Sequence, residues 1–312
     1  MAQQTPEKVA FLFPGQGSQI VGMGKDLYDS SPAAKAIFQE IDETLGRSLS
    51  GLMFNGPSED LTRTENAQPA ITAASIATWK AMEEATGVPQ APQMTAGHSL
   101  GEYSALAVSG VLSTADTVRL VVARGRLMQK ACDERPGGMA ALIGIDEMSV
   151  EEVCRETGTY ISNINSSEQI IISGDHMRLA QAIDLASARG ARKAIPLAVG
   201  GAFHSGLMES AQHGLNEVLE TLTFHDPIVP LIGNVDAQPL ATAAAIVDEL
   251  KLQLMSCVQW NRTVGFMLGQ NVDQFIEIGP GRVLAGLVKR IDRSANVLSI
   301  GDYQSVQAYA AA

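Results

Sequence analysis

The chain has 312 residues, of which 46% are hydrophobic and 18% are charged, and its formal net charge is −12. This composition predicts a large folded core in one or two domains rather than extended disorder. The negative charge argues against nucleic acid as the main partner, because phosphate binding requires a surplus of Lys and Arg.

The cysteines and the apolar runs indicate the cellular compartment of the protein. Three cysteines, none close to another in the chain, have the spacing of neither a metal site nor a redox pair. The apolar run over residues 9–13 is too short for a signal peptide, and no run of roughly twenty apolar residues is present. We therefore predict a reduced, cytoplasmic protein without a membrane span or a metal.

The first part of the chain alternates apolar runs with helical patterns. Residues 9–13 form a fully apolar run that Pro14-Gly15 ends, which is typical of a buried strand. A second short strand over residues 94–96 leads directly into a helix over residues 100–108. Further helices are predicted over residues 32–45, 69–84 and from residue 114 onward. This alternation predicts a mostly parallel sheet with helices on both faces.

Residues 132–200 have a different order of predicted elements, which is strand, helix, strand, strand, helix, strand. That order is typical of a ferredoxin-like fold. We interpret residues 132–200 as an α+β subdomain inserted into a discontinuous α/β core formed by residues 1–131 and 201–312. Within the second part of that core, we predict strands over residues 227–233 and 274–278, and helices over residues 246–255 and 283–291.

The segment Gly97-His98-Ser99-Leu100-Gly101 fits the pattern G-x-S-x-G between a strand and a helix. A serine nucleophile on such a sharp turn needs small neighbours, and the helix N-terminus favours developing negative charge. The alternative is a glycine-rich turn with a capping serine. The context on both sides favours the nucleophile.

A serine nucleophile needs a base, and His204 is the candidate. It follows the serine in the chain, at the point where the predicted insertion ends, whereas the other histidines lie beside the nucleophile, in the insertion or in polar segments: His98, His176, His213 and His225. No Asp or Glu stands out as the third member of a triad. A backbone or amide carbonyl is therefore the alternative partner that would orient the imidazole.

Arg124 lies on an apolar helix face together with Leu120, Val121, Leu127 and Met128. A buried guanidinium must be paired, either with an internal carboxylate or with a carboxylate of the substrate. The spacing alone favours neither partner. The segment over residues 13–19, FPGQGSQ, lacks the features of a phosphate-binding loop, and a backbone N–H there could stabilise an oxyanion together with that of Leu100.

Taken together, these motifs resemble those of the acyltransferase family that includes malonyl-CoA:acyl carrier protein transacylases and the acyltransferase domains of polyketide synthases. The resemblance extends along nearly the whole chain. It covers FPGQGSQ, QPA at Gln68, GHSLGEYSAL, ARGRLMQ at Arg124, Asn163 and Asn165, FHS at His204, VQW at Gln259, and EIGPG at Gly279. It implies an α/β-hydrolase-like core with a ferredoxin-like subdomain.

The resemblance also implies the roles of individual residues. Ser99 would be acylated, His204 would act as general base and acid, and the backbone carbonyl of Gln259 would orient the histidine. The oxyanion hole would consist of the backbone N–H groups of Gln16 and Leu100.

A malonyl group would bind through its carboxylate to Arg124, in a substrate pocket that includes Gln68, Asn163, Asn165 and Phe203. Phe203 matches family members that accept malonyl over the bulkier methylmalonyl. The chain departs from many relatives in reading Gly200-Gly201-Ala202 before Phe203 and Cys257 before VQW.

The implied activity is ping-pong transfer of malonyl from coenzyme A to the phosphopantetheine of an acyl carrier protein, without a bound cofactor and by a monomer. Because carrier proteins are acidic, we predict a basic docking patch that comprises Lys289, Arg290, Arg293, Arg189, Arg192 and Lys193. The alternative is that these are ordinary solvated charges. The alternative functions are an esterase or thioesterase, a non-catalytic carrier-binding module, and an acyltransferase that serves a polyketide synthase in trans.

Overall fold

The apolar runs of the sequence form the strands of two sheets. The computed structural model describes residues 8–88 and 90–312. Its strands are β1 (Val9–Phe13), β2 (Met94–Gly97), β3 (Gly138–Ile143), β4 (Tyr160–Ser166), β5 (Gln169–Gly174), β6 (Lys193–Pro196), β7 (Leu231–Ile232), β8 (Pro239–Leu240), β9 (Gln274–Ile278) and β10 (Asn296–Ile300).

Helices connect and cover these strands, and many of them begin after a Ser, Thr or Asp whose side chain accepts a hydrogen bond from the first turn. They are α1 (Lys25–Ser30), α2 (Pro32–Leu45), α3 (Leu49–Asn55), α4 (Ser58–Thr62), α5 (Thr64–Thr86), α6 (Gly101–Val108), α7 (Thr114–Glu134), α8 (Glu147–Thr157), α9 (His176–Ala188), α10 (Glu209–Leu219), α11 (Ala243–Gln253), α12 (Trp260–Gly269), α13 (Val283–Ile291) and α14 (Tyr303–Ala310).

The larger sheet has the strand order β10-β9-β1-β2-β7-β8, in which every neighbouring pair is parallel except β7 with β8. β1 and β2 are adjacent, and Phe13 pairs with Gly97 at their carboxyl ends. Loops that follow neighbouring parallel strands meet at the same edge of a sheet. The segment after Phe13 and the turn at Ser99 are therefore side by side.

The smaller sheet is antiparallel, with the order β4-β5-β3-β6. Its side chains alternate between two cores, as the two-residue period of a strand requires. Ala140 and Leu142 pack with α8 and α9, whereas Met139 and Ala141 belong to the main core. The face of the smaller sheet that carries Met139 and Ala141 lies over the loops of the larger sheet. The protein is thus a mixed α/β fold with a parallel-containing sheet and a separate antiparallel sheet.

The prediction of alternating helices and strands is confirmed, and some boundaries differ from those predicted. The helix expected over residues 69–84 begins at Thr64, because Asn66 and Ala67 already donate to the carbonyl of Arg63 and Pro69 lies inside the helix. The strand expected over residues 227–233 contains only Leu231–Ile232. α7 continues to Glu134, beyond the boundary predicted after residue 131 between the core and the subdomain. The division into two domains stays a prediction. No helix within the described residues is long and apolar enough to span a membrane.

Candidate active site

Ser99 lies on the sharp turn between β2 and α6, and its φ is +52°. The flanking glycines are required by packing. A Cβ on Gly97 would lie 1.8 Å from the carbonyl carbon of Gly101, and one on Gly101 would lie 1.9 Å from the oxygen of Phe13. The turn therefore has the left-handed conformation and the crowded neighbours that G-x-S-x-G predicted.

The backbone of this turn is held by Asn234, which follows β7. The amide of Ser99 donates to Asn234 Oδ1 at 2.7 Å, and Asn234 Nδ2 donates to the carbonyl of Gly97 at 2.8 Å. The amide of Asn234 in turn donates to Glu249 Oε1 at 2.7 Å. A strained turn persists only when its surroundings fix it, and these bonds do so.

His204 contacts the serine directly, with Nε2 at 2.7 Å from Ser99 Oγ. Its Nδ1 lies 2.9 Å from the carbonyl oxygen of Gln253 and 3.1 Å from that of Ser256. Because carbonyls only accept, Nδ1 carries the proton and Nε2 accepts from the serine hydroxyl. Burial, and then the charge of Arg124, lower the pKa of His204 to about 3, so the imidazole is neutral near pH 7.

The expectation that the carbonyl of Gln259 orients His204 is wrong. Gln259 immediately precedes α12, and its carbonyl accepts from Thr263 N in the first turn of that helix at 2.9 Å. Gln253 is the last residue of α11, where carbonyls have no partner within the helix. The carbonyls of Gln253 and Ser256 therefore lie where a triad carboxylate would be, in agreement with the alternative that a backbone carbonyl orients the imidazole.

Arg124 on α7 is 1% exposed and points at the serine. Its Nη2 donates to Ser99 Oγ at 3.1 Å and to Gln253 Oε1 at 3.2 Å, and its Nη1 donates to Gln68 Oε1 at 2.8 Å. Among the described residues, no carboxylate forms an ion pair with it. Burial lowers its pKa from the ordinary value. Of the two partners considered, the internal salt bridge is therefore not formed, and the guanidinium contacts the neutral oxygens of Ser99, Gln68 and Gln253 and lies over the ring of Tyr103, 5.0 Å from its centroid.

A cavity of about 300 Å³ opens beside Ser99 and His204. Of the residues predicted for the site, Gln16, Asn163, Asn165 and Phe203 line it, together with Met139, Ala141 and Ile171 from the antiparallel sheet. Asn165 Oδ1 lies 2.9 Å from Nε2 of His98, which fixes both side chains at the wall of the cavity.

Gln68 does not line this cavity, although it was predicted for the pocket. It is fully buried, and it holds Arg124 through Oε1 and contacts Met128 Sδ through Nε2 at 3.2 Å. The amides of Gln16 and Leu100, predicted for the oxyanion hole, donate to no acceptor within residues 8–88 and 90–312. Both amides are thus available to an oxygen of a ligand.

The predicted basic residues fall into two groups. Arg189 pairs with Glu152 and Glu156, and Arg192 pairs with Glu168, so these cations are already neutralised. The remaining cations are exposed: Lys193, Lys289, Arg290 and Arg293. The last three lie near the end of α13, and residues 283, 284 and 287 of the same helix line the active-site cavity.

Sequence reasoning missed four polar residues that organise the site: Glu102, Asn234, Glu249 and Gln253. Gln253 contacts three residues of the site. Its carbonyl accepts from His204, and its side chain contacts Arg124 and the carbonyl of Ser99. The one available signal among these four was Glu102, which lies in the first turn of α6, a helix whose other residues are mostly apolar. A buried carboxyl at such a position indicates a polar partner.

Comparisons with known proteins agree with this geometry. The family model described as the acyl transferase domain matches residues 10–308. Curated relatives called malonyl CoA-acyl carrier protein transacylase include one from Bacillus subtilis, 45% identical over 96% of this chain and 95% of its own length. One from Escherichia coli K12 is 44% identical over 90% of this chain and 92% of its own length.

Solved structures are also similar to this chain in both fold and sequence. An acyl-carrier-protein S-malonyltransferase from Bartonella henselae matches with a TM-score of 0.92 and 41% identity, over 97% of this chain and 98% of its own. A malonyl-transacylase in complex with a type II polyketide synthase acyl-carrier protein matches with the same TM-score and identity, over 96% and 98% of the two chains. The chain belongs to the acyl transferase domain family, in the branch formed by malonyl CoA-acyl carrier protein transacylases.

Proposed function

We propose that this enzyme transfers a malonyl group from malonyl-CoA to the phosphopantetheine thiol of an acyl carrier protein, through an ester on Ser99, and so supplies fatty acid synthesis. One observation carries the proposal. Ser99 Oγ lies between a neutral imidazole, His204 Nε2 at 2.7 Å, and a buried guanidinium without a carboxylate partner, Arg124 Nη2 at 3.1 Å. The first group activates the nucleophile, and the second selects an acyl group that carries a carboxylate.

In the first half-reaction, Ser99 Oγ attacks the thioester carbonyl while its proton passes to His204 Nε2. The tetrahedral intermediate collapses as the C–S bond breaks, and the proton on Nε2 passes to the departing sulfur of coenzyme A. The carbonyls of Gln253 and Ser256 support the imidazolium that forms, because both accept from Nδ1. The product of this step is a malonyl ester on Ser99.

The negative oxygen of the intermediate binds to the amides of Gln16 and Leu100. Their lack of a protein acceptor supports this assignment. Each donor of an oxyanion hole contributes roughly 3 kcal/mol to transition-state stabilisation.

The malonyl carboxylate binds to Arg124, which Gln68 and Gln253 hold in place. Charge-assisted hydrogen bonds of this kind contribute about 1.5–3 kcal/mol. An acetyl group would leave the guanidinium buried without an anion. Asn163, Asn165 and Phe203 enclose the rest of the acyl group and the start of the pantetheine chain.

In the second half-reaction, His204 takes the proton of the carrier's thiol, the thiolate attacks the Ser99 ester, and Oγ leaves as the hydroxyl. The carrier protein must therefore bind beside the cavity. Lys289, Arg290 and Arg293 support a docking site there, because they are exposed and α13 reaches the cavity. Arg189 and Arg192 are already paired with carboxylates and do not belong to this docking patch.

We also infer the finer description of the fold. The order strand, helix, strand, strand, helix, strand from β3 to β6, with the sheet order β4-β5-β3-β6, supports a ferredoxin-like subdomain. The turn at Ser99 after a parallel strand supports an α/β-hydrolase-like core. The protein that we propose is a cytoplasmic monomer, and serine acyl transfer of this type requires neither a metal nor a bound cofactor.

The alternatives have less support. A serine hydrolase with a triad would place a carboxylate at His204 Nδ1, where two backbone carbonyls are found instead. A non-catalytic carrier-binding module would not require the contact between Ser99 and His204. An acyltransferase that acts in trans for a polyketide synthase would use the same chemistry. The names of the curated relatives do not favour this alternative.

The test is intact-mass spectrometry of the protein after incubation with malonyl-CoA or with acetyl-CoA. We expect a malonyl adduct that is absent in Ser99→Ala, persists for minutes and disappears when phosphopantetheinylated carrier protein is added. Acetyl-CoA should give a much weaker adduct. Steady release of free malonate without transfer to the carrier would instead identify a hydrolase.

A further inference from the structure

Two buried carboxyl groups lie behind the nucleophile. Glu102 on α6 is 0% exposed, and Glu249 on α11 is 7% exposed. Their side chains are within hydrogen-bonding reach of each other. The mechanism above uses neither of them, and neither has a basic ion-pair partner in the described residues. Such a pair requires an explanation, because an unpaired buried charge is costly.

The two groups differ in their surroundings. Glu249 Oε1 accepts from the amides of Asn234 and Val235, at 2.7 and 2.8 Å, as a carboxylate does. Glu102 Oε2 accepts from Gln253 Nε2, whereas its Oε1 has no hydrogen-bond partner among the described residues. Two adjacent carboxyl groups in a dry interior retain one proton between them. These hydrogen bonds assign the negative charge to Glu249 and the proton to Glu102, whose hydroxyl then donates to Glu249.

Burial, and then the charge of Glu249, raise the pKa of Glu102 well above its ordinary value, in agreement with this assignment. Burial also raises the pKa of Glu249, and Asp236 is a further negative charge near it. The other titratable groups that face Glu102 are Arg124 and Tyr103. Of these, only Arg124 carries a charge near pH 7 and also contacts Ser99.

One amide group separates Glu102 from Arg124. Gln253 donates through Nε2 to Glu102 and accepts through Oε1 from Arg124 Nη2. A negative charge on Glu102 would therefore act on the guanidinium over a short distance in a low-dielectric interior. It would neutralise the charge to which the substrate's carboxylate must bind. A protonated Glu102 makes the same hydrogen bond to Gln253 without that competition.

We propose that Glu102 is a positioning residue for substrate specificity: Glu249 keeps it protonated, so that the charge of Arg124 remains available to the carboxylate of the acyl group. The inference rests on the proposed function, because it assumes that Arg124 binds the malonyl carboxylate. Glu102 acts through Gln253 and touches no substrate. Its effect is therefore on the preference for a carboxylate-bearing acyl group over a neutral one.

The variants Glu102→Gln, Glu249→Gln and the double variant test this. In E102Q, the amide accepts from Gln253 and donates to Glu249, as the protonated carboxyl does, so the preference should stay within about threefold of wild type. In E249Q, the new amide donates to Glu102 and moves the charge onto it. We expect the malonyl-to-acetyl preference to fall on the order of tenfold, through a raised KM for malonyl-CoA.

The double variant separates electrostatics from structural damage. It carries no carboxyl group, so the preference should return toward that of the wild type. If the effect of E249Q were merely structural, adding E102Q would restore nothing. The preference is measured as the ratio of initial rates of malonyl and acetyl adduct formation, which is independent of the fraction of folded protein.

Three results would overturn the inference: a wild-type ratio in E249Q, a ratio in E102Q as low as in E249Q, or a double variant no better than E249Q. Failure of the proposed function is recognised separately. In that case the wild-type protein itself would form no malonyl adduct that depends on Ser99.

Discussion

Ser99 and His204 both have left-handed backbone conformations, with φ of +52° and +54°, and their side chains meet at 2.7 Å between Oγ and Nε2. Neither is a glycine, so both backbones are strained. The hydrogen bonds of Asn234 to the turn, and those of the Gln253 and Ser256 carbonyls to the imidazole, hold the two side chains together. Strain of this kind is tolerated where it fixes the geometry of a functional site.

The first prediction concerns that strain. Ser99→Gly should have a free energy of unfolding about 1 kcal/mol higher than Ser99→Ala, because only glycine adopts a positive φ without a steric penalty. Neither variant should form an acyl adduct. Denaturant unfolding of both variants, with intact-mass analysis, measures the difference. An alanine variant as stable as the glycine variant would show that the turn is relaxed.

The second prediction concerns Arg124. Arg124→Met should lower kcat/KM for malonyl-CoA on the order of 10- to 100-fold, because the charge-assisted hydrogen bonds to the substrate are lost. Acetyl transfer should not fall, since an acetyl group has no carboxylate to bind. Arg126→Met is the matched control, because Arg126 is exposed on the same helix. Equal losses with both acyl groups would contradict a role in binding the carboxylate.

The third prediction concerns pH. Because the pKa of His204 is lowered from 6.5 to about 3, its neutral form persists as the pH falls through 6.5. The rate of Ser99 acylation should therefore stay nearly constant between about pH 8 and about pH 5. In Arg124→Met one cause of the lowered pKa is removed, so the rate should begin to fall at a higher pH. Quenched-flow mass spectrometry measures the rate, and circular dichroism checks the fold at each pH. A wild-type midpoint near 6.5 would contradict a buried neutral base.

The sequence predicted the parts of this site that follow from local spacing. The turn at Ser99 is defined by glycines within five residues, and the apolar face of α7 placed Arg124 in the interior. Both signals are short-range, since they depend on a single turn or a single helix period. His204 followed from elimination, because few histidines were available.

The long-range parts could not be read from the sequence. Gln253 is a polar residue at the end of an amphipathic helix, and nothing local distinguishes it from a solvated glutamine. Its neighbours in the fold are 129 residues away at Arg124 and 151 residues away at Glu102. The assignment of the Gln259 carbonyl to His204 was wrong for the same reason. A carbonyl can be assigned to His204 only when the path of the chain between α11 and α12 is known.

The fourth prediction concerns the glycines of the turn. Gly97→Ala should lower the free energy of unfolding by about 3 kcal/mol or prevent folding, because its Cβ would lie 1.8 Å from the carbonyl carbon of Gly101. Gly265→Ala is the control, since a Cβ there meets no atom within 4 Å and the residue lies inside α12. That variant should be about 0.5–1 kcal/mol more stable than wild type. Thermal and denaturant unfolding measure both changes. A fully stable Gly97→Ala protein would contradict the close approach of the turn to α6.

The fifth prediction concerns docking of the carrier. Reversing the charge of both Lys289 and Arg290 to Glu should lower kcat/KM for an acidic carrier protein about tenfold at low ionic strength. The rate of Ser99 malonylation by malonyl-CoA should stay unchanged, because these residues lie outside the cavity. Added salt should reduce the difference from wild type, since screening weakens attraction between exposed charges.

The pair Lys35→Glu and Arg47→Glu provides the matched control. It makes the same change in net charge at exposed positions on and after α2, and neither position lines the active-site cavity. If docking depends on the local patch, the control should keep the wild-type kcat/KM for the carrier within about twofold. If both pairs lower it equally, the effect comes from the overall charge of the protein, and α13 is not the docking surface.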